Sequence, residues 1–355
     1  VHLLSFIKGF DSAISCRDED GVAVDWWILY KLPKENAKIS KKNGNLLSEG
    51  LAYAYLSSYN PNNNWTMSSI SISDQESMPG RTLQNIYRTT DDDDRDDIFS
   101  LMYNDEHPHG PTSFTEGHTK GLVLGNISHS IWLIHSVPHY PPFPNETYGY
   151  PTTGQRYGQT AMCISLNTNS ALETIGRQLT YNAPYIYHTD LPSWLKYYPE
   201  MTNAANGKHI KKPPFSNVES IQTMGGENFT IFAKTSNFDK DLYADLVAPV
   251  LKLPLLVETW PNGREKMPSR CNSPFIVENV NEMNLTVRFK TTHDHSKWAI
   301  SSLYDHPIVC IGDINRLETQ RKRGGGTACF SNYKVWKAFK KSIMVVEECN
   351  RSSFH

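Results

Sequence analysis

The chain has 355 residues, of which 39% are hydrophobic and 20% are charged. This composition is that of a globular protein, and the absence of an apolar run of about eighteen residues excludes a conventional membrane-spanning helix. The formal charge of −2 argues against a constitutively basic nucleic-acid binder, although protonation of all 13 histidines would bring the charge to roughly +11. A polyanionic partner is therefore expected to bind better in an acidic compartment.

Hydrophobic periodicity predicts strands that alternate with helices along the chain. The predicted strands cover residues 22–33, 51–57, 98–105, 118–126, 130–138, 229–236, 255–260, 295–302 and 308–315. The predicted helices cover residues 80–88, 170–182, 239–251 and 333–346, and Ser170 is expected to be the N-cap of the second. Strands are denser than helices, which favours an α/β fold with two mixed β-sheets flanked by helices.

Two polar stretches mark loops and boundaries. The acidic run at 89–97, "TTDDDDRDD", is interpreted as a solvated loop, with a cation site as the alternative. The stretch 203–215 is rich in Asn, Lys and Pro and divides the chain almost in half. We therefore expect a signal-peptide remnant or disordered segment at 1–15, followed by halves at 16–205 and 206–355 that form one integrated unit.

Cysteines and glycosylation sequons indicate the secretory pathway. The six cysteines are scattered without a CxxC pair, which argues against zinc and favours three disulfides, although six cysteines allow 15 connectivities. Six N-x-S/T sequons lie at Asn64, Asn126, Asn145, Asn228, Asn284 and Asn350.

A His-x-Lys pattern occurs twice, at His118–Lys120 and at His295–Lys297, and the two histidines are 177 residues apart, half the chain length. An asparagine followed by an acid lies fourteen residues before each histidine, at Asn104 and Asn281. Further out, "ILYK" ending at Lys31 resembles "IFAK" ending at Lys234. Features that recur at equal offsets predict an internal repeat with a pseudo-twofold arrangement.

The chemistry of these residue types suggests why both copies are needed. In an extended strand residues i and i+2 point to one face, so each histidine lies beside its lysine. Two lysines can hold the non-bridging oxygens of a phosphodiester and stabilise charge at phosphorus. One imidazole can attack phosphorus while the other protonates the leaving oxygen and then activates water. Such a site needs neither a metal nor another cofactor.

Two His-x-Lys copies at this spacing resemble the phospholipase D superfamily, in which a G/S-x-N element follows each copy. "GDIN", with Asp313 and Asn315, is similar to that element, and "HSVP", with His135 and Ser136, is its degenerate counterpart. Within the superfamily the chain most closely resembles deoxyribonuclease II, through "DWWILYKLP", "GHTKG", "CIGDIN" and "RGGGTAC" among other stretches from about residue 16 to 350. The superfamily's additional Asp is replaced by Gly125 and Ser302, which disfavours a lipid phosphodiesterase.

The resemblance implies a phospholipase D-like pseudo-dimer with one shared active site. It implies an acid, metal-independent endonuclease that cleaves DNA to 3′-phosphate and 5′-hydroxyl ends through a phosphohistidine. Two adjacent imidazoles beside lysines predict an optimum at roughly pH 4.5–6. By analogy His118 is the nucleophile and His295 the general acid. The candidate substrate-binding or orienting residues are Asn104, Asn281, His135, Ser136, Asp313 and Asn315.

The resemblance also implies a location and a covalent framework. The protein is expected in lysosomes or secretions, as a monomer or a homodimer, with DNA as its substrate. The implied disulfides are Cys16–Cys163, Cys271–Cys349 and Cys310–Cys329, the last of which encloses the "RGGG" stretch. The alternative is a secreted, inactive DNA-binding or effector protein on the same scaffold. The intact His-x-Lys pairs favour the enzyme, because an inactive homologue would be expected to lose at least one of those four residues.

Overall fold

The computed structural model describes residues 14–35, 45–59, 64–87 and 97–349. Strands β1 to β10 are Cys16–Arg17, Ala23–Val24, Trp26–Lys31, Tyr53–Ser57, Thr66–Met67, Phe99–Asn104, Lys120–Gly125, His129–His135, Gln159–Asn167 and Ile186–Asp190. Strands β11 to β19 are Ser216–Gln222, Asn228–Lys234, Leu255–Glu258, Val277–Asn284, Arg288–Lys290, Trp298–Ser301, Ile308–Gly312, Gly325–Ser331 and Ile343–Val346. Residues 1–13 of the predicted N-terminal segment 1–15, most of the acidic run and Asn350 lie outside the described residues.

Helices are fewer than strands in the described ranges. Helices α1 to α8 are Asn45–Glu49, Met78–Leu83, Thr152–Gln155, Thr168–Asn182, Pro199–Ala205, Ala248–Leu251, Glu318–Arg321 and Tyr333–Ser342. A π-helical turn at Tyr243–Val247 leads into α6, and single 3₁₀ turns lie at Ser193–Tyr197, Ser236–Phe238 and Thr291–His293. No helix in the described ranges has the length and apolar character needed to cross a membrane.

Each half of the chain contributes one large sheet. The first has the strand order β10-β6-β7-β8-β9-β3-β4-β5, and all its neighbours are antiparallel. The second has the order β11-β12-β18-β17-β16-β13-β14-β15, with β19 beside β14 and one parallel pair, β13–β14. The run β6-β7-β8-β9-β3 therefore corresponds to β13-β16-β17-β18-β12, both in sheet position and in chain order. This correspondence and the α/β architecture confirm the predicted pseudo-dimeric fold.

Alternating side chains divide the core into layers. Trp26 and Ile28 point from β3 into a cluster that also contains Phe229 and Phe330 of the second sheet, and the rings of Trp26 and Phe330 are 5.1 Å apart. Trp27, between them in sequence, points to the opposite face of the first sheet. Each fully buried large apolar side chain contributes about 1.5–3 kcal/mol to folding. The shared cluster therefore ties the two halves together.

Helix ends and strand ends differ from the predicted ones. The N-cap of α4 is Asn167, not Ser170, because the Asn167 side chain accepts the backbone N–H of Asn169 at 3.0 Å. The chain after Ser342 is not helical, since the apolar residues 343–346 form β19 against β14. Strands β7 and β16 begin two and three residues later than predicted, so both histidines of the His-x-Lys pairs precede their strands.

The three disulfides implied by the resemblance are confirmed as Cys16–Cys163, Cys271–Cys349 and Cys310–Cys329. Such bonds are typical of proteins of the secretory pathway. Four of the five described sequon asparagines are exposed, whereas the Asn126 side chain accepts two backbone N–H groups in the turn between β7 and β8. Glycosylation at the six sequons stays a prediction.

Candidate active site

A cleft of about 610 Å³ is lined by both His-x-Lys pairs. The strand ends that carry the pairs, at β7 and β16, are counterparts in the two sheets. Four of its lining residues were predicted as catalytic from the repeat, and two more were predicted to orient the substrate. These six are His118, Lys120, His295, Lys297, Ser136 and Asn315.

Each His-x-Lys segment is held by the backbone of the other half. The N–H of His118 donates to the carbonyl of Gly324 at 2.9 Å, and the N–H of His295 donates to the carbonyl of Gly158 at 2.8 Å. The two glycines occupy equivalent places, immediately before β18 and β9. A Cβ atom at Gly158 would lie 2.4 Å from the Asp294 carboxylate, so the close approach of the halves requires glycine there.

The His118 ring is oriented by a backbone carbonyl. Its Nδ1 lies 2.5 Å from the carbonyl oxygen of Asp313, which can only accept a hydrogen bond, so Nδ1 carries the proton. The lone pair of the neutral ring is therefore on Nε2. Burial holds the pKa of His118 well below its ordinary value; Asp105 opposes this, and Lys120 adds to it. The arrangement supplies a neutral imidazole with a free nitrogen, as a nucleophile requires.

The His295 ring is held by aromatic neighbours instead. It stacks on Tyr157 with ring centroids 4.6 Å apart and meets the edge of Trp260 at 3.8 Å. Its Nε2 has no hydrogen-bond partner among the described residues. Burial, followed by Lys297 and Lys120, lowers the pKa of His295 to about 2. In the unliganded cleft both histidines are therefore neutral.

The two lysines are buried but differ in their partners. Lys120 forms an ion pair with Asp105 and lies 3.5 Å from a Glu106 oxygen. Lys297 donates to the carbonyl of His295 at 2.5 Å, and burial lowers its pKa to about 8. Both side chains are at most 3% exposed, so an anion must enter the cleft to reach them.

Asp313 and Asn315, predicted from "GDIN", lie at this junction in different roles. The Asp313 carboxylate accepts the Thr119 hydroxyl and, at 2.8 Å, the N–H of Gly326, and burial raises its pKa to about 7. Asn315 lines the cleft, and its side-chain oxygen has no partner among the described residues. Asp313 therefore connects the two halves through its bond with Thr119, whereas the Asn315 side-chain oxygen can still accept a hydrogen bond in the cleft.

In the degenerate element, Ser136 lines the cleft but is already engaged. It donates to the Gln159 side chain at 2.5 Å and accepts the N–H of Thr160 at 3.0 Å. His135 is fully buried and accepts the N–H of Val137 at 3.2 Å, and burial lowers its pKa to about 3. We interpret His135 as a neutral residue behind the lysines.

The two repeat-related asparagines occupy different places. Asn104 donates to the carbonyls of Val137 and Tyr140 at 3.0 and 2.9 Å and so fixes the chain after β8. Asn281 lies on β14, where its carbonyl accepts the Thr291 hydroxyl at 3.2 Å, and it is not among the residues lining the cleft. Equal spacing does not reflect equal position here, because the counterpart of β6 is β13, not β14.

Arg323 is a site residue that the sequence analysis missed. Its guanidinium donates to the carbonyls of Ser113, Glu116 and Gly117 at 2.7–3.1 Å and lies 3.1 Å from Asp105. Burial alone would raise the pKa of Asp105, but Lys120, His118 and Arg323 hold it well below its ordinary value. Arg323 thus holds both the loop before His118 and Asp105, the ion-pair partner of Lys120.

Arg323→Lys should lower the free energy of unfolding by about 1–3 kcal/mol, because a lysine cannot satisfy the buried carbonyls in the same fork geometry. Chemical denaturation measures the change. Arg321→Lys is the matched control, since Arg321 is more exposed and forms an ion pair with Glu318. Equal losses in the two variants would contradict the assigned role of Arg323.

Comparison with known proteins identifies the family of the chain. The deoxyribonuclease II family model matches residues 15–349. The chain is 37% identical to human deoxyribonuclease-2-beta, covering 95% of this chain and 92% of the relative, and 37% identical to Caenorhabditis elegans deoxyribonuclease-2, covering 96% and 95%. It is 40% identical to mouse deoxyribonuclease-2-beta, covering 92% and 90%. The chain therefore belongs to the deoxyribonuclease II family and is a nuclease of that kind.

Proposed function

We propose that the protein is an acid, metal-independent endonuclease that cleaves DNA to 3′-phosphate and 5′-hydroxyl ends through a phosphohistidine on His118. The observation that carries this proposal is that two neutral imidazoles and two ammonium groups line one cleft. The lysines supply the positive charge that a phosphodiester and its transition state require. This makes the cleft the proposed shared active site of the two halves.

In the first step, the Nε2 lone pair of His118 forms a bond to phosphorus, and the bond from phosphorus to the 5′-oxygen breaks. His295, protonated once the anionic substrate is bound, gives its proton to that leaving oxygen. The ring contacts support these roles, which the resemblance implies: a carbonyl orients His118, whereas no described side chain occupies Nε2 of His295.

In the second step, water attacks phosphorus and the nitrogen–phosphorus bond breaks. Neutral His295 accepts the proton of the water, and the 3′-phosphate is released. Lys120 and Lys297 hold the non-bridging oxygens throughout, so every charge that develops at phosphorus meets a cation already in place. The DNA-binding or effector alternative would not require this complete set of reactive groups.

Nicking of supercoiled plasmid at about pH 5 tests the function. Activity should survive excess EDTA, because the lysines replace a metal as the source of positive charge. His118→Ala, assayed in parallel, excludes a contaminating nuclease. Loss of activity in EDTA that magnesium restores would contradict the mechanism, and binding without nicking would favour the alternative.

We also propose that the protein acts in lysosomes or in secretions. The disulfides require an oxidising compartment during folding, and the neutral histidines of the cleft gain protons more readily as the pH falls. Localisation of a tagged full-length protein, with and without a lysosomal acidification inhibitor, tests the proposal.

A further inference from the structure

Two buried lysines outside the cleft occupy equivalent places in the halves. Lys31 and Lys234 are the last residues of β3 and β12, which are counterparts in the two sheets. Both are 0% exposed, and neither forms an ion pair within 4.0 Å among the described residues. Fully buried lysines are rare, because an ammonium group loses its hydration without compensation unless other acceptors surround it.

The acceptors are the carbonyls at the ends of two short helices. Lys31 donates to the carbonyl of Gln155 at 2.6 Å, at the end of α3. Lys234 donates to the carbonyls of Gln320 and Arg321 at 3.2 and 2.9 Å, at the end of α7, and also to that of Arg323. The last carbonyls of a helix have no partners within it and attract cations.

Both helices lead directly into the glycines that hold the opposite histidine. Gly158 follows the last residue of α3 by three positions, and Gly324 follows the last residue of α7 by three positions. The carbonyl of Gly158 accepts the N–H of His295, and the carbonyl of Gly324 accepts the N–H of His118. A continuous path of hydrogen bonds and backbone therefore joins each buried lysine to the histidine of the other half.

We propose that Lys31 and Lys234 are positioning residues that act across the two halves, Lys31 on His295 and Lys234 on His118. An ammonium group offers three donors, which a hydrocarbon side chain of similar length cannot replace. Loss of the donor leaves buried carbonyls unsatisfied and frees the end of α3 or α7 to move. A displacement of about 1 Å at a catalytic group can cost roughly 10²-fold in rate.

Kinetics on two substrates test whether Lys31 positions His295 and Lys234 positions His118. This kinetic test rests on the proposed function, in which His118 is the nucleophile and His295 the general acid. One substrate is DNA; the other is a thymidine 3′-phosphodiester with p-nitrophenolate as leaving group, which departs without a proton. Because His295 also activates water in the second step, which both substrates share, the readout is the single-turnover rate of the first step, measured as release of the leaving group. Lys31→Met should lower this rate on DNA by about 10²-fold but lose far less on the activated ester. Lys234→Met should lower it on both, because both require the nucleophile.

Matched controls distinguish a positioning role of Lys31 and Lys234 from the general effect of removing one positive charge. Lys34→Met and Lys240→Met remove exposed lysines near β3 and after β12 and should leave the first-step rate unchanged on both substrates. His295→Ala gives the pattern expected when the general acid is lost, and His118→Ala gives the pattern expected when the nucleophile is lost. A loss in Lys31→Met that is as large on the activated ester as on DNA would overturn the proposal, since a general loss of stability has no preference for one substrate.

Histidine NMR gives a readout that does not depend on activity. With ¹⁵N-labelled histidine, Lys31→Met should shift the imidazole signals of His295 and leave those of His118 in place, and Lys234→Met should do the reverse. Unchanged signals for both rings, or equal changes for both in either variant, would overturn the positioning roles. If the wild-type protein cleaves neither substrate, the proposed function fails, and the NMR result still decides the positioning roles.

Discussion

Alanine in place of His118 or of His295 should each remove nearly all turnover, and the double variant should be little worse than either single variant. A general acid contributes about 10²–10⁴-fold to the rate, and loss of the nucleophile removes the covalent route altogether. Losses are non-additive when residues act as one unit, because the first substitution already abolishes the step that the second residue serves. Single-turnover cleavage of DNA by the three variants measures this.

His306→Ala is the matched control, because His306 is an exposed histidine that does not line the cleft. It should retain wild-type turnover. Substantial activity in His295→Ala would show that one half suffices and would contradict the shared site. Losses that multiply in the double variant would show that the two histidines contribute independently and not as one unit.

Local chemistry made the central part of the site predictable from sequence. His118 and Lys120 stand two residues apart beside an apolar run, and His295 and Lys297 repeat the pattern, so both residue type and spacing carry information. Nine strands were likewise predictable as apolar runs of β-branched and aromatic residues, whereas the central strands β9 and β18 were not predicted. The disulfide pairing required the family resemblance, because six separated cysteines do not define their partners.

Residues that act through long-range contacts could not be found in this way. Arg323 stands in a Gly-rich stretch and looks like a surface charge, yet it binds backbone more than two hundred residues earlier. Asn281 matched Asn104 in spacing, but Asn104 lies on β6 and Asn281 lies on β14, which is not the counterpart of β6. The counterpart is β13, and β14 is an additional strand that pairs with it in parallel. Equal spacing along the chain does not ensure equal positions in the two sheets, and the site is formed by residues on neighbouring strands.

The pH dependence should differ between kcat/KM and kcat. In the free protein the pKa of His295 is lowered to about 2, so over the working range only a small fraction carries the proton that the leaving oxygen needs. That fraction falls tenfold for each unit of rising pH, and kcat/KM should therefore fall by about tenfold per unit on the alkaline side of its optimum. Lys297, with a pKa of about 8, remains charged over most of this range and does not cause the fall.

Bound DNA opposes the effects that lower the pKa of His295. The phosphodiester anion favours the imidazolium and raises its pKa, which opposes burial and the lysines, so substrate binding should be coupled to uptake of a proton. Because His118 must stay neutral while His295 is charged, kcat should be bell-shaped, with an optimum at roughly pH 4.5–6. Single-turnover cleavage at saturating DNA reports this step, and DNA binding to His118→Ala, measured in parallel, separates it from the general gain of positive charge at low pH. Fastest cleavage under saturation at about pH 8 would show that no imidazolium donates the proton, whatever the binding data show.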